Sequence, residues 1–219
     1  MPLRRSMVLC VLVGVLLCAG FAWRHFSTSG QPPQSSEPIV DKQPVIFAQR
    51  TFDPASPPPD MPALGESEEA ECDSNFISDA NVSGRMQKID STNATVTVAQ
   101  VRLTLQLKIT IWVPSGATPH VIEHEEGHRQ ISEHYYQSAD KVSAGIAASY
   151  AGKQIAISGA DLNTEFRNAL LQLSQEITSE YSEKMNPGPA QQRYDDLTDH
   201  SRNDRDAKAA AAQAIKETM

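Results

Sequence analysis

The residues with the clearest chemical potential form the run His124-Glu125-Glu126-Gly127-His128. This run fits the pattern H-E-x-x-H, in which two histidines stand four residues apart. On a helix such residues lie one turn apart and about 40° around the axis, so both imidazoles can bind one tetrahedral metal ion. Glu125 follows the first histidine and can accept the proton of a water that attacks a carbonyl carbon beside the metal. The run therefore predicts a zinc site with Glu125 as the general base.

A catalytic zinc needs a third protein ligand, and the sequence offers three candidates. His134 stands ten residues after His124, as in H-E-x-x-H-x-x-G-x-x-H, but the glycine that lets that pattern turn is missing. On an unbroken helix His134 would lie about 80° from His124, so we expect it to face elsewhere. Glu176 and Glu180 are one helical turn apart, which is also typical of an exposed face. The third candidate is His200.

His200 closes the run Tyr194-Asp195-Asp196-Leu197-Thr198-Asp199-His200, a Tyr-Asp-x-x-Thr-x-His motif. An H-E-x-x-H helix followed by this motif resembles a family of bacterial predicted secreted zinc-dependent proteases, and the resemblance covers roughly residues 75–205. It implies a peptide-cleaving enzyme in which His124, His128 and His200 hold zinc and Glu125 is the base. Members of that family often carry glycine after the last histidine, where this chain has Ser201.

The neighbours of His200 suggest supporting roles. Asp195 and Asp199 flank it, and either carboxylate could accept the second N–H of the imidazole and fix its tautomer. Tyr194 could donate a hydrogen bond to a tetrahedral oxyanion, and we predict it as a catalytic residue. A packing role for Tyr194 is the open alternative.

The strand that must support this helix is the clearest element of the chain. From Val101 to Val113 every odd position is Val, Leu or Ile, and the even positions through Thr110 are polar. Strict alternation over this length predicts a strand with one buried face. Thr95–Val98 is also β-prone, and the residues of 90–93 favour a turn before it. We therefore expect a small antiparallel sheet.

Helices follow the strand. Thr118 is a candidate N-cap with Pro119 at the first helical position, and the helix is predicted from His120 to about Ala148. Further helices are predicted over 162–185, 190–201 and 207–218. Strands followed by helices indicate an α+β fold, in which the sheet packs on a zincin-like active-site helix and a helical C-terminal part follows.

The N-terminal third of the chain differs in composition. Residues 1–26 contain no acid, and Arg4 and Arg5 precede an apolar run at 7–23, which predicts a signal peptide or an N-terminal membrane anchor. Residues 27–72 are rich in Pro and Ser and read as a linker, in which the segment 39–52 could add a short strand. The folded metallopeptidase domain is then expected at 73–219, in the bacterial periplasm, secreted, or held at the inner membrane.

Composition limits the partners. The chain has 219 residues and a net charge of -8, which becomes -11 once Arg4, Arg5 and Arg24 leave with the signal. This acidic balance argues against a nucleic-acid partner. We expect an exported zinc metallopeptidase acting on peptides or proteins. The alternatives are a non-catalytic envelope protein with a structural or partner-binding metal site, and a helical scaffold that binds no metal.

Overall fold

The predicted strand is confirmed and forms the centre of the sheet. In the computed structural model, which describes residues 37–65 and 68–219, β4 spans Asn93–Pro114 and includes both β-prone segments. Its odd-numbered apolar side chains from Val101 to Val113 are all buried. The preceding strand β3, Glu71–Lys88, pairs with β4 along almost its whole length, and the turn between them is closed by the Asp90 carboxylate, which accepts from the backbone N–H of Thr92 and Asn93.

Three shorter strands complete a mixed sheet. Strands β1, Ile39–Lys42, and β2, Ile46–Phe52, run parallel to β4, whereas β3 and β5, Gln154–Ser158, run antiparallel to it. The prediction of an antiparallel sheet is therefore wrong, while the α+β class is confirmed. The alternation in β4 reports that one face is buried, but it carries no information about the direction of the neighbouring strands.

The edges of the sheet follow from these pairings. A strand has two edges, and β3 pairs with one edge of β4 along almost its whole length. The strands β5, β1 and β2 must therefore all pair with the other edge. They follow one another there from the N-terminal to the C-terminal end of β4. The second edge of β3 pairs with no other strand among residues 37–65 and 68–219. This free edge begins at Glu71.

Helices cover the apolar face of the sheet. The predicted helix over 120–148 is two helices, α1, Pro119–Gln137, and α2, Ala139–Tyr150, because the chain breaks at Ser138. The other predicted helices are α3, Leu162–Lys184, α4, Gly188–Thr198, and α5, Ala207–Thr218. Side chains from α1, α2 and α3 join the odd residues of β4 in the main core, which includes Tyr136, Ile146, Leu173, Ile177 and Tyr181.

A second, smaller core fixes the helices that matter for the site. Ile131 of α1 packs with Ala190, Tyr194 and Leu197 of α4 and with the alanines of α5. Small alanine side chains let these helices approach closely. One face of α4 is thereby held against α1.

The predicted signal or anchor at 1–26 lies outside the described residues, as do residues 27–36 and 66–67 of the predicted linker. Strands β1 and β2 fall within the rest of that predicted linker, where 39–52 was expected to add a strand. Among the described helices, none combines the length and apolar character needed to span a bilayer.

Candidate metal centre

Helix α1 begins where the sequence predicts and places the motif on its second and third turns. The side chain of Thr118 accepts a hydrogen bond from the Val121 N–H, and Pro119 occupies the first turn. His124 and Glu125 are buried, whereas His128 is partly exposed. The helix start thus orients the motif toward the interior between the sheet and α4.

The two motif histidines meet a carboxylate from α4. The Nε2 atoms of His124 and His128 are 3.1 Å apart. The Asp195 Oδ1 atom lies 2.9 Å from His128 Nε2 and 3.4 Å from His124 Nε2. Among the described residues, His124, His128 and Asp195 form the one group of three that could hold a metal ion, and we call them the metal triad.

The spacing within the metal triad fits a small tetrahedral cation. Nitrogen and oxygen ligands at about 2.0–2.1 Å from such an ion stand roughly 3.3 Å from one another. The three separations in the structure lie between 2.9 and 3.4 Å. Two imidazoles and one carboxylate are also a donor set that suits zinc and related divalent metals.

The charges of the metal triad support the same interpretation. Burial alone would raise the pKa of Asp195, but hydrogen bonds and charge from the two histidines outweigh it and hold that pKa well below its usual range. Burial would likewise lower the pKa of His128, but Asp195 and Glu125 raise it to about 9. For His124 burial dominates and lowers the pKa. Without metal, both histidines therefore favour the charged form of the Asp195 carboxylate.

Glu125 lies beside the metal triad in a poorly solvated position. Burial raises its pKa to about 8, with a smaller opposing contribution from His128 and further increases from Glu71 and Asp195. A carboxyl whose pKa is close to neutrality can both accept and return a proton under ordinary conditions. A bound dication would lower this pKa, because it favours the charged carboxylate.

A cavity of about 420 Å³ adjoins the metal triad and Glu125. One side is formed by Glu68 and residues 70–74 at the start of β3, and the other by residues 186–188 and by Gln191 of α4. Cys72 lines this cavity and is partly buried. Burial, followed by the charge of Glu125, raises the pKa of its thiol.

Tyr194 of α4 packs against both histidines of the metal triad. It is fully buried, its hydroxyl donates to the backbone oxygen of His124 at 3.0 Å, and its ring stacks on His124 with centroids 4.9 Å apart. The ring also meets His128 edge-on, at 4.8 Å between centroids. Because the hydroxyl is buried and engaged with a backbone carbonyl, this geometry favours a positioning role over the predicted role as oxyanion donor.

The other predicted ligand candidates lie outside the metal triad. His200 lies next to the metal triad without belonging to it, and its Nδ1 is 3.9 Å from Asp195 Oδ1. His134 Nε2 instead contacts the Met219 sulfur at 3.3 Å. Glu176 and Glu180 are near Lys153 and Lys184, as expected of an exposed face. His200 as third zinc ligand stays a prediction.

Two residues of α4 contact the motif histidines in a way that the sequence did not predict. Asp195 was expected to support His200, whereas its carboxylate contacts the motif histidines directly. Gln191, which binds His128, was not predicted at all. The available signal was the spacing of 191 and 195, which puts both side chains on the same face of a helix.

Comparison of this chain with protein-family models, with curated proteins and with solved structures gives no match.

Proposed function

We propose that this protein is a zinc metallopeptidase whose metal is held by His124, His128 and Asp195, with Glu125 as the general base. The observation that carries the proposal is the convergence of the three donor atoms to within 3.4 Å, beside a buried glutamate. The H-E-x-x-H run and the later Tyr-Asp-x-x-Thr-x-His motif, with their resemblance to predicted secreted zinc-dependent proteases, support zinc-dependent peptide cleavage with Glu125 as the base, whereas the choice of Asp195 over His200 rests on the geometry alone.

The open side of the metal triad favours catalysis over a structural role. Structural zinc sites are closed by four protein ligands, whereas catalytic sites keep one position for water or substrate. The described residues supply a group of three, and the cavity adjoins it. When bound, zinc would lower the pKa of a water and polarise a carbonyl group.

The roles of this chain's own residues follow from their positions. Glu125 would accept a proton from the attacking water as its oxygen bonds to the carbonyl carbon. It would return that proton to the amine nitrogen as the carbon–nitrogen bond breaks, so water is consumed and two shorter peptides result. Tyr194 and its hydrogen bond to the His124 carbonyl would hold the first histidine in place.

The free edge of β3 favours an extended peptide as the substrate. Residues 71–74 of this strand line the cavity, and the edge away from β4 has no strand partner in the described part of the chain. Unpaired strand edges bind extended peptides through backbone hydrogen bonds. A peptide paired there would bring its carbonyl groups past the metal triad.

The test of catalysis compares two glutamates of α1. We expect purified full-length protein to contain zinc and to cleave casein or a peptide library. Glu125→Gln should keep the metal and lose at least about 100-fold in kcat/KM, because the base is removed. Glu123→Gln is the matched control, since Glu123 is exposed on the same helix. Unchanged turnover of Glu125→Gln would rule out the mechanism, and zinc binding without turnover in the native protein would favour the non-catalytic alternative.

A second comparison decides the third ligand. Asp195→Ala should abolish stoichiometric zinc binding, whereas His200→Ala should retain it with a modest loss of affinity. The reverse result would assign the third position to His200, as the sequence predicts. Loss of zinc in neither variant would exclude both assignments.

We further propose that the protein acts outside the cytoplasm. The support is the sequence of residues 1–26, in which basic residues precede an apolar run. Fusion of these residues to a reporter that is active only after export should give activity, and replacing Leu16 and Leu17 by aspartate should remove it.

A further inference from the structure

We propose that Gln191 is a positioning residue that fixes the ring orientation and tautomer of His128 for metal binding. This inference rests on the proposed function, because it concerns the metal triad of that function. Gln191 lies one helical turn before Asp195 on α4, so one helix would supply both a ligand and the support for another ligand.

The orientation of the Gln191 amide follows from its partners. Its Nε2 donates to the backbone oxygen of His128 at 3.1 Å and to the Ser132 hydroxyl at 2.9 Å. A backbone carbonyl only accepts hydrogen bonds, so the amide NH2 must face it. The Gln191 Oε1 must then face the other way, toward His128 Nδ1, at 2.5 Å.

The amide orientation determines where His128 carries its proton. Because Oε1 can only accept, Nδ1 of His128 must carry the hydrogen of that bond. The lone pair of the neutral imidazole is then on Nε2, which is the atom that faces His124 and Asp195. Partners of this kind, which hold the second N–H of a metal-binding histidine, fix its tautomer and orientation.

Ser132 extends the support to the sheet. It is fully buried, accepts from Gln191 and donates to the Ser74 hydroxyl of β3 at 2.9 Å. The same strand segment lines the cavity. His124 has no comparable support, since its buried Nδ1 has no hydrogen-bond partner among the described residues. Among the two motif histidines, only His128 therefore has a hydrogen-bond partner for its Nδ1 in the described part of the chain.

The test uses two substitutions of Gln191 and one of its neighbour in the full-length protein. Gln191→Met keeps the length of the side chain and removes the acceptor, so zinc affinity measured against a chromophoric chelator should fall about 10- to 100-fold. Gln191→Glu keeps an acceptor for the His128 N–H but loses the donation to the His128 carbonyl, so its zinc affinity should fall less than that of Gln191→Met, by under about tenfold. Gln192→Leu is the matched control, because Gln192 is exposed on the same helix, and it should change nothing.

A spectroscopic readout separates positioning from a general loss of structure. In zinc-loaded, 15N-labelled native protein, the His128 Nδ1–H should be protected from solvent exchange and visible, and Gln191→Met should lose this signal while the backbone amide spectrum is retained. If Gln191→Met does not fold, Ser132→Ala, which removes a partner of the Gln191 amide, should weaken protection of the same proton.

The possible outcomes have distinct meanings. If Gln191→Met keeps the native zinc affinity and a protected His128 Nδ1–H, the positioning role of Gln191 is overturned while the proposed function stands. The same conclusion follows if Gln191→Glu loses as much zinc affinity as Gln191→Met. A native protein that binds no zinc would overturn the proposed function and this inference together.

Discussion

Gly127→Ala should destabilise the protein even though alanine is the better helix former. In an open helix this change adds about 1 kcal/mol of stability. At Gly127, however, a β-carbon would fall well inside van der Waals contact with the hydroxyl and ring of Tyr194. Tyr194 is fully buried, so it cannot move aside freely. Overpacking of this kind costs about 1–3 kcal/mol, and loss of the hydrogen bond to His124 adds about 1 kcal/mol.

The net expectation is a loss of about 1–3 kcal/mol in the free energy of unfolding, which corresponds to a fall in Tm of roughly 2–12 °C for a chain of this size. Gly145→Ala is the matched control. Gly145 is also helical, and a β-carbon there would meet nothing within 4 Å. It should raise the free energy of unfolding by about 0.5–1 kcal/mol.

The assay is thermal and urea unfolding of metal-free protein, followed by zinc titration of each variant. Gly127→Ala should also bind zinc more weakly, because displacement of Tyr194 moves the adjacent Asp195. The double variant Gly127→Ala with Tyr194→Phe should recover part of the stability, since the hydroxyl is the nearest obstacle. If both glycine variants were equally stabilised, the close packing of α4 on α1 at this position would be refuted.

Three further outcomes are expected. Burial and Glu68 raise the pKa of Glu71 to about 7. Because the folded state then holds this proton more tightly than the unfolded state, metal-free protein should lose stability as the pH rises from about 4.5 through 7. Glu71→Gln should be about 1–2 kcal/mol more stable than the native protein at pH 8 and no more stable below pH 4.5. Ser201 has φ of 63°, which favours glycine, so Ser201→Gly should add about 0.5–1 kcal/mol in urea unfolding, and a loss would contradict the assigned turn. Tyr194→Phe should cost about 1 kcal/mol and less than about tenfold in turnover; a loss above 100-fold with intact zinc binding would restore its role as oxyanion donor.

Local patterns predicted the elements that position the site. The alternation from Val101 to Val113 requires one buried face, and β4 has it. Thr118 and Pro119 mark the start of a helix, and α1 begins there. These features depend only on residues close together in the chain, so they can be predicted from the sequence alone.

The pairing of strands that are distant in the sequence could not be predicted from local patterns. The strands β1 and β2 are short and only partly buried, so their alternation is weak, and nothing in them specifies parallel alignment with β4. The role of Asp195 was missed for a related reason. Its spacing from His124 is set by how α4 packs on α1, and that packing depends on residues as distant as Ala210 and Ala211.

The two middle positions of the H-E-x-x-H run have unequal importance in this chain. Glu126 binds Arg129 on the helix surface, Oε2 to Nε 2.6 Å, so other polar residues would serve there. Gly127 instead provides the space that Tyr194 occupies. Because Tyr194 precedes Asp195 on α4, the absence of a side chain at Gly127 allows the carboxylate to reach both imidazoles. A side chain at this position should therefore weaken metal binding unless a smaller residue replaces Tyr194.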